Sequence, residues 1–189
     1  MLTPTSSQTV GPFFHLGCTG THSVSCLAKS QAKGERVWLH CRVIDGEGSP
    51  VPDAMLELWQ ANAEGKYQHP EDTQEKSNDP HCSGFGRMAT EADGTCVFET
   101  IKPGCVPGPG ESVQAPHINV SVFARGLLTR LVTRIYFSGE PANVRDPVLA
   151  IVPEERRGTL MAQADSRKPG HWDFEIRLCG DKETVFFDV

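Results

Sequence analysis

Two tyrosines and seven histidines are the residues of this chain best suited to metal or acid–base chemistry, and most of them stand apart. The exception is the run His117-Ile118-Asn119. In an extended strand, alternation turns His117 and Asn119 to one face, at the spacing of a His-x-His chelate. Asn119 spoils that chelate, because a neutral amide oxygen is a poor ligand for a ferric or zinc ion compared with an imidazole. A lone strand histidine is more often a hydrogen-bonded core or interface residue. His15, His69 and His81 stand in loop-like segments without chelating partners at useful spacing. There is no GxSxG elbow, HExxH helix or P-loop, so the hydrolase, zincin and nucleotide classes have no motif to rest on. Seven cysteines without a CxxC pair cannot all pair within one chain. None has a basic or helix-terminal setting, which predicts free, structural thiols rather than nucleophiles.

The elements that must position these residues are mostly strands. Val37, Leu39, Cys41 and Val43 alternate with Trp38, His40 and Arg42, the period of a half-buried strand. Ala54–Gln60, Gly86–Thr90 and Thr95–Ile101 follow, the last two joined through Asp93-Gly94 in what reads as a hairpin. His117–Arg125 and Leu131–Phe137 repeat the theme on either side of Gly126, and Trp172–Leu178 alternates cleanly before a turn and a strand-like tail from Thr184. Only Pro153–Ala164 reads as a helix, with Pro153 and two acidic residues at its front. Residues 1–35, rich in Thr, Ser, Gly and Pro, read as an extended arm ahead of a domain spanning 36–189. The segment 62–83 is a long polar loop. These elements predict a mainly β protein, a β-sandwich with an extended N-terminal arm and one short helix.

A length of 189 residues suits one such domain. A formal charge of −6 argues against a nucleic-acid surface, which needs a surplus of Lys and Arg. No stretch approaches the length of a membrane span, and residues 1–17 lack a basic and apolar leader pattern, so the expected setting is the cytoplasm, with no membrane partner.

Several stretches, in order and spacing, carry a resemblance: SQTVGPFFHLG (7–17), LELWQANAEGKY (56–67), APHINVSVFARG (115–126), TRIYF (133–137) and ETVFFDV (183–189). Together they resemble the intradiol ring-cleaving dioxygenases, in particular the α-type chains of those built from two kinds of chain. The resemblance does not extend through 20–33 and 70–82. It implies a sandwich of mixed sheets, a β-type partner subunit, and a higher-order αβ oligomer acting on a small aromatic substrate and O2. It also implies non-haem Fe(III), held in the partner by two tyrosines and two histidines. Tyr67 matches the first tyrosine ligand and His117 the first histidine. Asn119 stands where the second histidine belongs, and the segment 102–116 has no tyrosine for the second phenolate. The resemblance therefore implies that Tyr67, His117 and Asn119 are vestigial positions in a chain that binds no metal and supplies no catalytic residue.

What such a chain still contributes is a wall of the partner's substrate pocket: Thr9, Gly11 and Pro12 of the arm, and Arg125 of the FARG turn. Gly lets a backbone approach a flat ring and Pro stiffens that approach. Arg125 offers a planar fork to a carboxylate; on residue type alone it is equally a solvated charge at a strand end. Phe13 departs from the family, which often carries Tyr there. Two other readings are a β-sandwich scaffold that touches no substrate and an autonomous iron dioxygenase, the latter weakened by Asn119 and the missing tyrosine.

Overall fold

The computed structural model describes residues 8–188. Ten strands are present: β1 (Arg36–Ile44), β2 (Met55–Trp59), β3 (Phe85–Ala89), β4 (Thr95–Ile101), β5 (Val106–Pro107), β6 (Val113–Gln114), β7 (His117–Phe123), β8 (Leu131–Phe137), β9 (Met161–Ala164) and β10 (His171–Arg177). β5 and β6 pair only with each other; the other eight are linked in the order β3-β2-β7-β8-β9-β10-β1-β4. Pairing is antiparallel except between β8 and β9 and between β1 and β10, which makes the arrangement mixed.

Two layers result because β9 divides its pairing. Met161 and Ala162 face β8, whereas Gln163 and Ala164 face β10. The chain of strands folds over at this point. Leu39, Cys41, Val43, Phe98 and Phe174 from one layer then meet Leu56, Leu58, Ile118, Val120, Ile135 and Phe137 from the other in a single buried cluster. Close approach of the layers demands glycine at 86, since an added Cβ would overlap Leu27 and Phe98.

The mainly β sandwich expected from the sequence is the fold found, with four local corrections. Gly86–Thr90 and Thr95–Ile101 are joined by a tight turn, Glu91 accepting from the Gly94 amide, but they are not a hairpin. β3 pairs with β2 and β4 with β1, so the turn hands the chain from one layer to the other. Within 153–164, Glu154–Leu160 is a 3-10 helix and 161–164 is β9, because Leu160 is drawn into a second core and the next four residues pair with β8 and β10. The arm, expected to be extended, holds an α-helix, α1 (Pro12–Cys18), with Pro12 opening its first turn, where the fixed φ of proline suits a helix. Residues 1–7 lie outside those described. The strand-like tail is largely irregular, touching the sheet through a bridge between Phe187 and Val132.

Downstream of α1 the arm does structural work. Val24 bridges to Arg87 in β3, Cys26 bridges to Glu99 in β4, and Leu27 enters the main core. Val24–Ala28 thus straps together the two strands that end the eight-strand series. A second core lies on the outer face of β7 and β8, where Tyr136, Ala115, Leu149, Val152 and Leu160 pack together.

Asp146 organises that outer face. It is buried, caps α2 (Pro147–Ile151) by accepting from the Val148 and Leu149 amides at 2.9 and 2.8 Å, accepts from the Ala115 amide at 2.7 Å, and accepts from the Tyr136 hydroxyl at 3.1 Å. Removing the carboxylate leaves several buried donors without partners. Asp146→Ala is therefore expected to destabilise the chain by about 3–5 kcal/mol, read as a lowered midpoint in urea unfolding. An unchanged midpoint would remove Asp146 from this role.

Candidate functional site

Strand register brings side chains together on the outer face of the β2–β7–β8 layer. Trp59 is opposite Asn119, which is opposite Arg134, forming one row across three strands, and His117 is opposite Tyr136 in the next. The core-facing alternates, Leu58, Ile118, Val120 and Ile135, compel this parity. The 62–83 loop folds back over the row, with Tyr67 stacked on Trp59 at 5.7 Å and His69 edge-on to the same indole. Asp72 pins the loop by accepting from the Tyr67 and Gln74 amides at 2.8 and 3.0 Å. Between loop and sheet lies a cavity of about 520 Å³ lined by Trp59, Tyr67, His117, Arg134, Gln114 and part of the loop.

His117 is buried, and its Nδ1–H donates to the Ala115 carbonyl at 2.7 Å. That bond fixes the tautomer and leaves Nε2 to accept. Burial, reinforced by the charge of Arg134, lowers its pKa to about 4, so the ring is neutral near pH 7. Burial also pushes the Tyr67 phenol up, against the opposing pull of Asn119 and Arg134. Asn119 turns its Nδ2 to the Trp59 carbonyl at 3.4 Å and to the Tyr67 hydroxyl at a long 3.5 Å. Arg134 donates from Nη1 to the Gln114 side-chain carbonyl at 2.6 Å and reaches the Tyr136 hydroxyl at 3.5 Å.

As a seat for Fe(III) this set is a poor fit. It offers one imidazole and one protonated phenol, places an amide N–H beside that phenol, and adds the fixed positive charge of Arg134. Ferric iron asks for hard anionic donors. Among the described residues no group of three or more His, Cys, Asp or Glu side chains could hold a metal.

Thr9, Gly11 and Arg125 gather elsewhere. The Thr9 hydroxyl accepts from the Gly126 amide at 2.8 Å, docking the arm on the turn after β7. Gly11 and Arg125 line a second cavity of about 280 Å³ with Val10, Phe14, Met55 and Phe123. Nothing among the described residues requires glycine at 11, where φ is −104° and a Cβ would meet no described atom within 4 Å. Pro12 opens α1 beside it. Arg125 is 73% exposed and its nearest acid, Asp53, is 3.9 Å away. Arg125 lies six positions along the chain from Asn119, about 20 Å at ~3.3 Å per extended residue. Arg125 therefore lies beyond reach of the Tyr67–His117 cavity.

Sequence reasoning missed Arg134 and Gln114. Arg134 stands two residues before Tyr136 in the same strand, so alternation alone puts the two side chains on one face; its meeting with Asn119 needed the inter-strand register.

The chain matches the family described as Dioxygenase over residues 9–180. It is 42% identical to the protocatechuate 3,4-dioxygenase alpha chain of Burkholderia cepacia, over all of this chain and 98% of that one. It is 39% identical to the beta chain of the same organism's enzyme, over 80% of this chain and 67% of that one. Among solved structures, the dioxygenase domain of a carbohydrate-binding fusion protein from Streptomyces sp. SirexAA-E is similar, with a TM-score of 0.63, 26% identity, and coverage of 97% and 100%.

The depressed pKa of His117 has a consequence for stability. The unfolded chain takes up this proton near the ordinary histidine value and the folded chain only near pH 4, so stability is lost as pH falls between these values. The loss from this residue is expected to approach about 3 kcal/mol. His117→Gln should flatten the dependence of urea-unfolding stability between pH 6.5 and 4; an unaltered slope would exclude His117 as its source.

Proposed function

This chain belongs to the dioxygenase family it matches, and from that premise we propose that it is the α-type subunit of a protocatechuate 3,4-dioxygenase. With a β-type partner it forms the pocket in which 3,4-dihydroxybenzoate and O2 become 3-carboxy-cis,cis-muconate. The bond between the two hydroxyl-bearing ring carbons is cleaved and both oxygen atoms enter the product. The partner holds Fe(III) and carries the redox chemistry; this chain binds and orients.

The observation that carries this reading is the gathering of Gly11 and Arg125 at one cavity, with Thr9 docking the arm beside them, away from the chain's own Tyr67–His117 cavity. Among the described residues Arg125 has only Asp53, at 3.9 Å, beside it, which leaves its charge for an anion outside the chain. Gly11 has open space in front of it, which leaves room for another molecule to come close. On the adjoining α1, Phe13 and Leu16 are 85% and 69% exposed, apolar surface that a partner would cover. In this arrangement Thr9 holds the arm against the turn, Gly11 and Pro12 form the pocket wall, and Arg125 meets the carboxylate of the substrate. Repeated αβ pairing builds the larger oligomer, with no nucleic acid or membrane as partner. Among the described residues no helix is long and apolar enough to cross a membrane.

Two measurements test this reading. The purified chain is expected to be colourless and free of stoichiometric iron by metal analysis, since Tyr67, His117 and Asn119 do not supply a ferric donor set. Visible tyrosinate-to-iron absorption from this chain alone would overturn that assignment. In the assembled enzyme, Arg125→Ala is expected to lower kcat/KM for 3,4-dihydroxybenzoate by roughly ten- to a hundredfold. Catechol, which lacks the carboxylate, should lose far less, and iron content should be unchanged. Equal losses on both substrates would give Arg125 a structural role at the subunit boundary, and no loss on either would leave a scaffold.

A further inference from the structure

The cavity under the 62–83 loop has no part in the function proposed above, yet it is lined for binding. Arg134 is its organising charge. Nη1 is occupied by Gln114 and Tyr136, while Nε and Nη2 have no hydrogen-bond partner among the described residues. Neither nitrogen is among the buried polar atoms left unpaired, so both keep some access where Arg134 lines the cavity. No carboxylate lies within 4.0 Å of it among the described ion pairs. The nearby acids are otherwise placed: Asp146 is committed to four donors, Asp72 to the loop amides and Gln74, and Glu71 is exposed on the rim.

The rest of the lining completes the recognition chemistry. Trp59 and Tyr67 stack on one another, their planes 18° apart, and give the lining an aromatic side. Val106 and Pro107 add apolar surface. His117 is neutral, with its Nδ1 already engaged, so Nε2 can accept a hydrogen bond from a ligand hydroxyl. A free guanidinium fork beside an aromatic wall suits a planar anion and repels a metal cation.

We infer that this cavity is a binding site for a small aromatic carboxylate, gripped by Nε and Nη2 of Arg134 with its ring against Trp59 and Tyr67. The site needs neither Arg125 nor the partner subunit.

The test is calorimetric titration of the full chain with 4-hydroxybenzoate, using phenol as the ligand without a carboxylate. One site per chain with a Kd below about 1 mM is expected, with phenol at least about tenfold weaker. Arg134→Gln should weaken 4-hydroxybenzoate binding on the order of tenfold or more, whereas Arg125→Ala should leave it unchanged. Arg134→Lys, which keeps the charge without the fork, covers a failure of Arg134→Gln to fold; it should weaken the carboxylate several-fold and not phenol. Absence of binding to the natural chain, equal affinity for phenol, full affinity in either Arg134 variant, or loss in Arg125→Ala would each overturn the inference. Failure here would not touch the proposed role of Arg125, which is read from the kinetics of the assembled enzyme.

Discussion

Ile118, Val120, Ile135 and Phe137 have to face inward, and most of what the outer surface of this protein can do follows from that requirement. Burying each such side chain stabilises the fold by roughly 1.5–3 kcal/mol. Because strand side chains alternate, the same demand sends His117, Asn119, Arg134 and Tyr136 to the opposite face. A slip of one residue in β8 would bury Arg134 and expose Ile135 and Phe137, reversing gains on both faces at once. The register of the outer row is thus held by residues that never touch it. Asp146 and Tyr136 then secure the edge of that row by joining β8 to α2.

The two arginines show how position decides the role of one residue type. Arg134 stands mid-strand, half-buried under a folded loop and anchored by Gln114, so its charge acts inside this chain. Arg125 stands just past the end of β7, 73% exposed, with a weak ion pair. Its field acts outward. One arginine is thus anchored over a cavity of this chain while the other stands exposed at a strand end.

Where the signal was local, the sequence was legible. The alternation in HINVSVFAR and LVTRIYF marked β7 and β8 because one face of each is apolar over several residues. The broken chelate at Asn119 was legible from the alternation of β7, whereas the ferric ligand set it departs from, and the grouping of Thr9 and Gly11 with Arg125, came from the resemblance. Other features depended on tertiary placement. β9 is four residues, MAQA, and becomes a strand because β8 and β10 both need a partner at the fold of the sandwich. The Asp93-Gly94 turn looks like that of a hairpin, yet β2 and β1 claim the strands on either side of it. Arg134 went unread as a site residue because cross-strand register, not local spacing, brings it to Asn119.

The strap at Val24–Ala28 has a bearing on how the molecule meets others of its kind. β3 and β4 end the eight-strand series, and an unpaired terminal strand offers amides and carbonyls on which a second chain can polymerise. Here the Val24 amide and carbonyl are joined to Arg87 at 2.7 and 2.8 Å, and Leu27 and Ser25 bind Glu99 at 2.9 and 2.8 Å. Templating by strand addition is blocked along the strapped stretches of both rims. Growth into fibrils there would first require the strap to peel away, drawing Leu27 out of the interior. The two rims are thereby guarded against unselective backbone pairing.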